Sequence, residues 1–264
     1  MGVMHIALIQ FASSTDSAAN RVVVDEMLGG LGPDDGLDLV VLPEGSMHDF
    51  GRPEDDLSAI AEPLDGPFVQ LLAAHALRLG ATVVGGMFEV TDGLPFNTLV
   101  VLGPDGALRH SYRKIHLYDS FGYRESERLR SGEIEPLVID VAGHSVGLMT
   151  CYDLRFPELS RLLIDAGADV LVVPAAWVQG EIKLDHWTTL LRARAIENTV
   201  PVIAVGQCGE HYVGHSLVID ARGSIVDEAG SDPAILRTEL DFAEVERARG
   251  ENPSLVNRRI RNAL

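Results

Sequence analysis

Two stretches in opposite halves of the chain read almost alike: Asp38-Leu39-Val40-Val41-Leu42-Pro43 and Asp169-Val170-Leu171-Val172-Val173-Pro174. Each is an unbroken apolar run of strand length. A strand that is apolar at every position, rather than at alternate ones, is covered on both faces. A second pair, Asn97 to Leu102 and His215 to Asp220, echoes in the same way, each running into a glycine-bearing turn at Gly103 or Gly223. Two similar halves cover such strands if their sheets pack face to face and each carries helices on its outer side. The expected fold is therefore α/β, a four-layer α-β-β-α sandwich.

The rest of the pattern fits that frame. Val3 to Gln10, Thr82 to Phe88, Pro201 to Val205 and Ala234 to Leu240 read as strands, the last closing the sheet, and Gly103-Pro104-Asp105-Gly106 is a hairpin signal. Helices are expected over Ser17–Leu31, with Val22, Met27 and Leu31 inward, and over Gly66–Leu79. A further helix over Lys183–Thr199 turns Trp187, Leu190, Leu191 and Ala195 inward, and a short one spans Asp241–Gly250. No linker or low-complexity run divides the 264 residues, so one domain, 1–264, is expected. Its tail, from about residue 250, carries Arg258, Arg259 and Arg261 and is expected to dock on a partner subunit.

Three polar residues stand at strand ends. Glu44 follows the first apolar run. Lys114 leaves the second arm of the hairpin, on the opposite face from Ile115 and Leu117. Cys151 ends the run Val146 to Thr150, just before Pro157 and Glu158 open a helix carrying Leu159, Leu162 and Leu163 that stops at Gly167. A cysteine at a strand-to-helix turn is exposed to reactants and flanked by backbone N–H groups, as in a nucleophile elbow. The bland alternative is a small buried hydrophobe. For Glu44 and Lys114 the bland readings are a turn carboxylate and a solvated lysine.

Together V-L-P-E, Y-R-K-I-H-L and M-T-C-Y-D-L-R-F-P-E resemble the nitrilase superfamily of carbon–nitrogen hydrolases, and the likeness runs from Ile6 to Asn198. The resemblance implies a Glu44–Lys114–Cys151 triad and the same sandwich fold. It also implies a second glutamate in the charged, aromatic loop Tyr118–Gly132. Glu125 is the match and Glu127 the competitor, because relatives carry Pro-Gly where this chain has Ser131-Gly132. C-Y-D-x-R-F-P-E looks like the amidase branch that includes omega-amidases and deaminated-glutathione amidases.

The chemistry needs these residue types. A free thiol is mostly protonated at neutral pH, so a base must take its proton, and a carboxylate in a dry pocket can do so. Glu44 fills that role, Lys114 and the Tyr152 N–H stabilise the oxyanion, and water releases the thioester. Tyr118, Tyr123, Arg124, Arg155, Trp177 and Lys183 are candidates to line the pocket, a cation there holding a substrate carboxylate. Neither a metal nor an organic cofactor is expected. Nitrilase or N-carbamoyl hydrolase activity is the alternative, and a non-catalytic binding protein of the same fold is the rival from another class.

A net charge of −18 argues against nucleic acid as a partner. Cys151 and Cys208, the latter in a polar loop, make no disulfide framework and lack zinc-site spacing. No signal peptide or membrane-length apolar run is evident, so a cytoplasmic protein is expected. Surplus apolar residues on the helix from Pro157 and after Trp177 point to a homodimer or a multiple of one.

Overall fold

The computed structural model describes residues 2–260. Its strands in chain order are β1 (Val3–Gln10), β2 (Leu39–Val41), β3 (Thr82–Glu89), β4 (Phe96–Leu102), β5 (Leu108–Arg113), β6 (Asp119–Ser120), β7 (Tyr123–Arg124), β8 (Val138–Val141), β9 (His144–Leu148), β10 (Val170–Ala175), β11 (Val202–Gly206), β12 (Leu217–Ile219), β13 (Ile225–Glu228) and β14 (Ala234–Asp241). The longer helices are α1 (Ser17–Gly29), α2 (Pro67–Leu79), α3 (Pro157–Asp165), α4 (Lys183–Asn198) and α5 (Phe242–Glu251).

Two six-stranded sheets form, in the orders β14-β1-β2-β3-β4-β5 and β13-β12-β11-β10-β9-β8, and β6 and β7 make a separate small hairpin. The echoing runs, β2 and β10, each lie between parallel neighbours, β1 and β3 in one sheet and β9 and β11 in the other. Antiparallel strands flank both triplets.

Alternation along the strands builds the layers. Leu39 and Val41 face the space between the sheets, where Ile6, Leu8 and Val84 meet Val146, Val172 and Val205. Val40 and Leu42 face outward onto α1 and α2 through Val24, Leu28, Phe68 and Leu72. In the second sheet Leu171 and Val173 face outward onto α3 and α4 through Leu159, Leu163, Trp187 and Leu191. Each such side chain contributes about 1.5–3 kcal/mol when fully buried. The sandwich expected from the repeat is the fold observed.

Several local expectations are corrected. In α1 the inward residues are Asn20, Val24 and Leu28, and Val22 is exposed. Asp16 caps the helix through Ala18 N and Ala19 N, and Asn20 turns inward to bond the backbone of Ser14 and Met47. That choice sets the buried stripe at Asn20 and its i+4 and i+8 neighbours. Met27 and Leu190 are only partly buried, while Leu31 is buried just beyond α1. The edge strands β8 and β13 complete the second sheet, and β13 exposes Ile225 and Val226. β14 closes the first sheet, beside β1. Within the described part of the tail, the Arg258 guanidinium pairs with Asp165 at the end of α3. Arg261 lies outside the described residues. No helix among the described residues is long and apolar enough to cross a membrane.

Candidate active site

Glu44, Lys114 and Cys151 leave the ends of β2, β5 and β9 and converge on one cleft. Behind Glu44 the chain turns through Gly45 at φ +66°, a region that favours glycine. Gly86 of β3 passes so close that a Cβ there would lie 2.8 Å from Glu44 Cα, so only glycine fits. Gln207, at the end of β11, reaches across from the other sheet and donates to the carbonyls of Glu44 (2.9 Å) and Gly45 (3.1 Å). Lys114 is held by its own N–H, which donates to the Asn97 carbonyl at 2.8 Å.

The side chains form a buried charged cluster. Lys114 Nζ lies 2.9 Å from Glu44 Oε1 and 2.9 Å from Glu125 Oε2. Asn97 Nδ2 donates to Glu44 Oε1 at 2.7 Å and to Glu125 Oε1 at 3.3 Å. The Ala176 N–H, just past β10, donates to Glu44 Oε2 at 2.7 Å. The Tyr118 N–H donates to Glu125 Oε2. Burial alone would lower the Lys114 ammonium, but the Glu125 and Glu44 charges hold it well above its ordinary range. Burial pushes the Glu125 carboxyl up, Lys114 pulls it back, and the Glu44 charge pushes it up again. Glu127 is exposed and pairs with Arg124, so Glu125 is the glutamate that joins the cluster.

Cys151 opens a 3-10 turn, Cys151–Arg155, that precedes α3, and it has φ +47°. A non-glycine residue in that region is strained and persists only where its surroundings fix it. Asp153, fully buried, supplies the fixing. Its carboxylate accepts from the Thr150 N–H at 2.9 Å, the Tyr112 hydroxyl at 2.7 Å and the His116 N–H at 3.0 Å, with His116 Nδ1 at 2.7 Å. The Arg194 guanidinium donates to the Leu154 carbonyl from α4, at 2.7 and 3.1 Å. Burial, then the Glu44 charge, push the Cys151 thiol well above its ordinary range, against the pull of Lys114. Cys208 lies in the loop after β11 and is buried there, and burial, then Asp232, push its thiol up to about 11.

The cleft encloses about 1150 Å³. Of the expected lining residues, Tyr118, Tyr123, Arg155, Trp177 and Lys183 reach it, as does Tyr152. Arg124 does not: its side chain turns to solvent toward Glu127, because the β6–β7 hairpin alternates its faces. Arg155 lies over the Trp177 ring at 4.9 Å. Its Nε is buried without a hydrogen-bond partner among the described residues. Lys183 Nζ donates to the Tyr118 hydroxyl at 2.9 Å and sits 3.7 Å from the Phe121 ring centre. Burial, then the Arg155 charge, lower the Lys183 ammonium. No group of side chains suited to hold a metal ion is present among the described residues.

Sequence reasoning missed Asn97, Asp153 and Gln207. Asp153 stood within the cysteine motif and was available. Asn97 and Gln207 carried no local signal, since their partners come from distant segments.

The carbon-nitrogen hydrolase family model matches residues 5–250. The deaminated glutathione amidase of Escherichia coli O157:H7 is 38% identical, over 97% of this chain and 97% of its own. The 2-oxoglutaramate amidase of Paenarthrobacter nicotinovorans is 34% identical, over 98% of this chain and 90% of its own. Among solved structures, the CN-hydrolase superfamily protein XC1258 from Xanthomonas campestris, which carries an arsenic adduct in its active site, superposes with a TM-score of 0.90. It is 33% identical over 100% of both chains.

Proposed function

The chain belongs to the carbon–nitrogen hydrolase family, and from that premise we propose that it hydrolyses the ω-amide of a 2-oxo dicarboxylic acid through a thioester on Cys151. 2-Oxoglutaramate and deaminated glutathione share one acyl group, a five-carbon 2-oxo diacid whose far carboxyl forms the amide. The relatives that act on them motivate this choice of acyl group.

Glu44 carries the protons. It removes the Cys151 proton as sulfur attacks the amide carbon, and the carbonyl electrons move onto oxygen. Lys114 and the Tyr152 N–H stabilise that oxyanion. Collapse breaks the C–N bond, and Glu44 returns the proton to the departing nitrogen, which leaves as ammonia or an amine. Water then gives a proton to Glu44, attacks the thioester and expels sulfur, which recovers the proton. Glu125 keeps Lys114 charged and in place.

One observation carries the reading. A carboxylate fixed between Lys114 Nζ and the Ala176 N–H sits beside the Cys151 thiol, which burial and then the Glu44 charge push well above its ordinary range. A thiol so placed needs a base, and Glu44 is positioned to be one. The Arg155 guanidinium and the Lys183 ammonium line the cleft and supply a cationic wall for the 2-oxo acid carboxylate.

The test is a substrate panel read by product release, with the acyl-enzyme trapped on Cys151 by mass spectrometry. Amides of 2-oxo diacids should exceed a carboxylate-free amide of equal length in kcat/KM by about 10- to 100-fold. Faster turnover of a nitrile or an N-carbamoyl compound, or a label that never reaches Cys151, would overturn the reading.

A further inference from the structure

The reaction just described makes no use of Asn97, yet this residue touches three members of the cluster. It lies in β4, a strand buried along its whole length, and is 1% exposed. Its carbonyl accepts the Lys114 N–H at 2.8 Å, and its Nδ2 donates to Glu44 Oε1 at 2.7 Å and Glu125 Oε1 at 3.3 Å.

The orientation of that amide is dictated by its neighbours. Turned the other way, its oxygen would face two carboxylates, three acceptors with no proton between them. With the nitrogen toward the carboxylates, Oδ1 is left buried without a partner among the described residues. An unpaired buried carbonyl weakens a fold, and an apolar side chain of similar size would avoid it. The amide therefore earns nothing for packing, and its value lies in what Nδ2 does.

The charges explain the need. Glu44 and Glu125 are two carboxylates around the single ammonium of Lys114. Neighbouring carboxylates resist being ionised together, and a donor to both relieves that resistance without adding charge. Lys114 faces the pair from the end of β5, Cys151 from the turn after β9, and the Asp49–Tyr212 pair from the cleft wall.

We propose that Asn97 is a positioning residue of the reaction, its amide bridging Glu44 and Glu125 so that the two carboxylates are held together around one ammonium with Glu44 placed to take the Cys151 proton. The proposal rests on Glu44 being the proton carrier, and the experiment keeps the two apart. The pH profile of kcat/KM is measured for wild type, Asn97→Leu, Asn97→Asp and Glu44→Gln, with thermal unfolding recorded for each.

Removing the donor makes the carboxylates easier to protonate, so the acid limb of Asn97→Leu should move up by about one to two pH units. Asn97→Asp, which matches the native shape but adds a third carboxylate, should move it in the same direction, and it carries the measurement if the leucine variant does not fold. KM at the optimum should stay within about twofold, since Asn97 holds the base rather than substrate. A folded Asn97 variant with the wild-type acid limb, beside an inactive Glu44→Gln, overturns the role of Asn97 alone. Near-native turnover of Glu44→Gln overturns the base reading and the bridge with it.

Discussion

The two halves of the molecule are near-copies as scaffolds and differ as chemistry. β2 and β10 occupy equivalent places between parallel neighbours, and each runs into a proline. After Pro43 the first half places Glu44. After Pro174 the second places Ala175 and Ala176, and the Ala176 N–H grips the Glu44 carboxylate. One copy supplies the charge and the other a backbone donor that holds it. The first half also supplies Lys114 and Asn97 on unstrained strand ends, whereas the second supplies Cys151 on a strained turn. A fold that repeats can divide its chemistry in this way, because the sheets bring equivalent strand ends together while leaving their side chains free to diverge.

The comparison breaks most severely at the proposed nucleophile. Cys151→Ala should lower turnover on the order of a millionfold, the scale seen when a hydrolase loses its nucleophile, while Cys208→Ala leaves steady-state kinetics unchanged. If the two variants behaved alike, Cys151 would not be the nucleophile. Next comes the charge from the first half. Glu44→Gln should cost about 100- to 10,000-fold in kcat and slow iodoacetamide labelling of Cys151 in step, with circular dichroism intact. Labelling at the wild-type rate would mean that the thiol does not depend on the other half for its reactivity.

A smaller effect tests the strained turn. Asp153→Asn replaces an acceptor of several hydrogen bonds with a group that must donate one. Turnover should fall about 10- to 100-fold from misplacement of Cys151. Stability should fall by about 1–3 kcal/mol in denaturant titrations. Loss of stability with full activity would show that the turn holds Cys151 without Asp153. The smallest effect concerns the cations on the rim. Lys183 binds a carboxylate only when protonated, and burial with Arg155 lowers its range. KM for a 2-oxo acid amide should therefore rise at a pH below that of an ordinary lysine, with kcat little changed. Lys183→Met should abolish that step and raise KM about tenfold. A neutral amide showing the same step would remove Lys183 from substrate binding.

What the sequence makes legible follows from range. β2 and β10 were readable because burial on both faces leaves a local mark, an unbroken apolar run. Glu44, Lys114 and Cys151 were readable because each sits in a motif at a strand end. Gln207 was not, since its partners Glu44 and Gly45 lie in the other half and nothing near Gln207 records them. Val22 was misplaced because a polar residue, Asn20, took the inward position for hydrogen bonds that an apolar count ignores. Arg124 was misplaced because a two-residue strand sends neighbouring side chains to opposite faces, and Tyr123 took the cleft.

The pairing of β14 with β1 has a consequence for the chain as it is made. β1 is made long before β14, yet it pairs along its whole length, Val3 to Gln10, with Asp241 to Ala234. Its other neighbour, β2, covers only Ile6 to Leu8. Until β14 has left the ribosome, an apolar segment with unpaired backbone groups stands open, the kind of edge that templates aggregation. Synthesis is slow beside strand pairing, so this edge is exposed while residues 11–233 are made, and a chain stopped before Ala234 would carry it permanently.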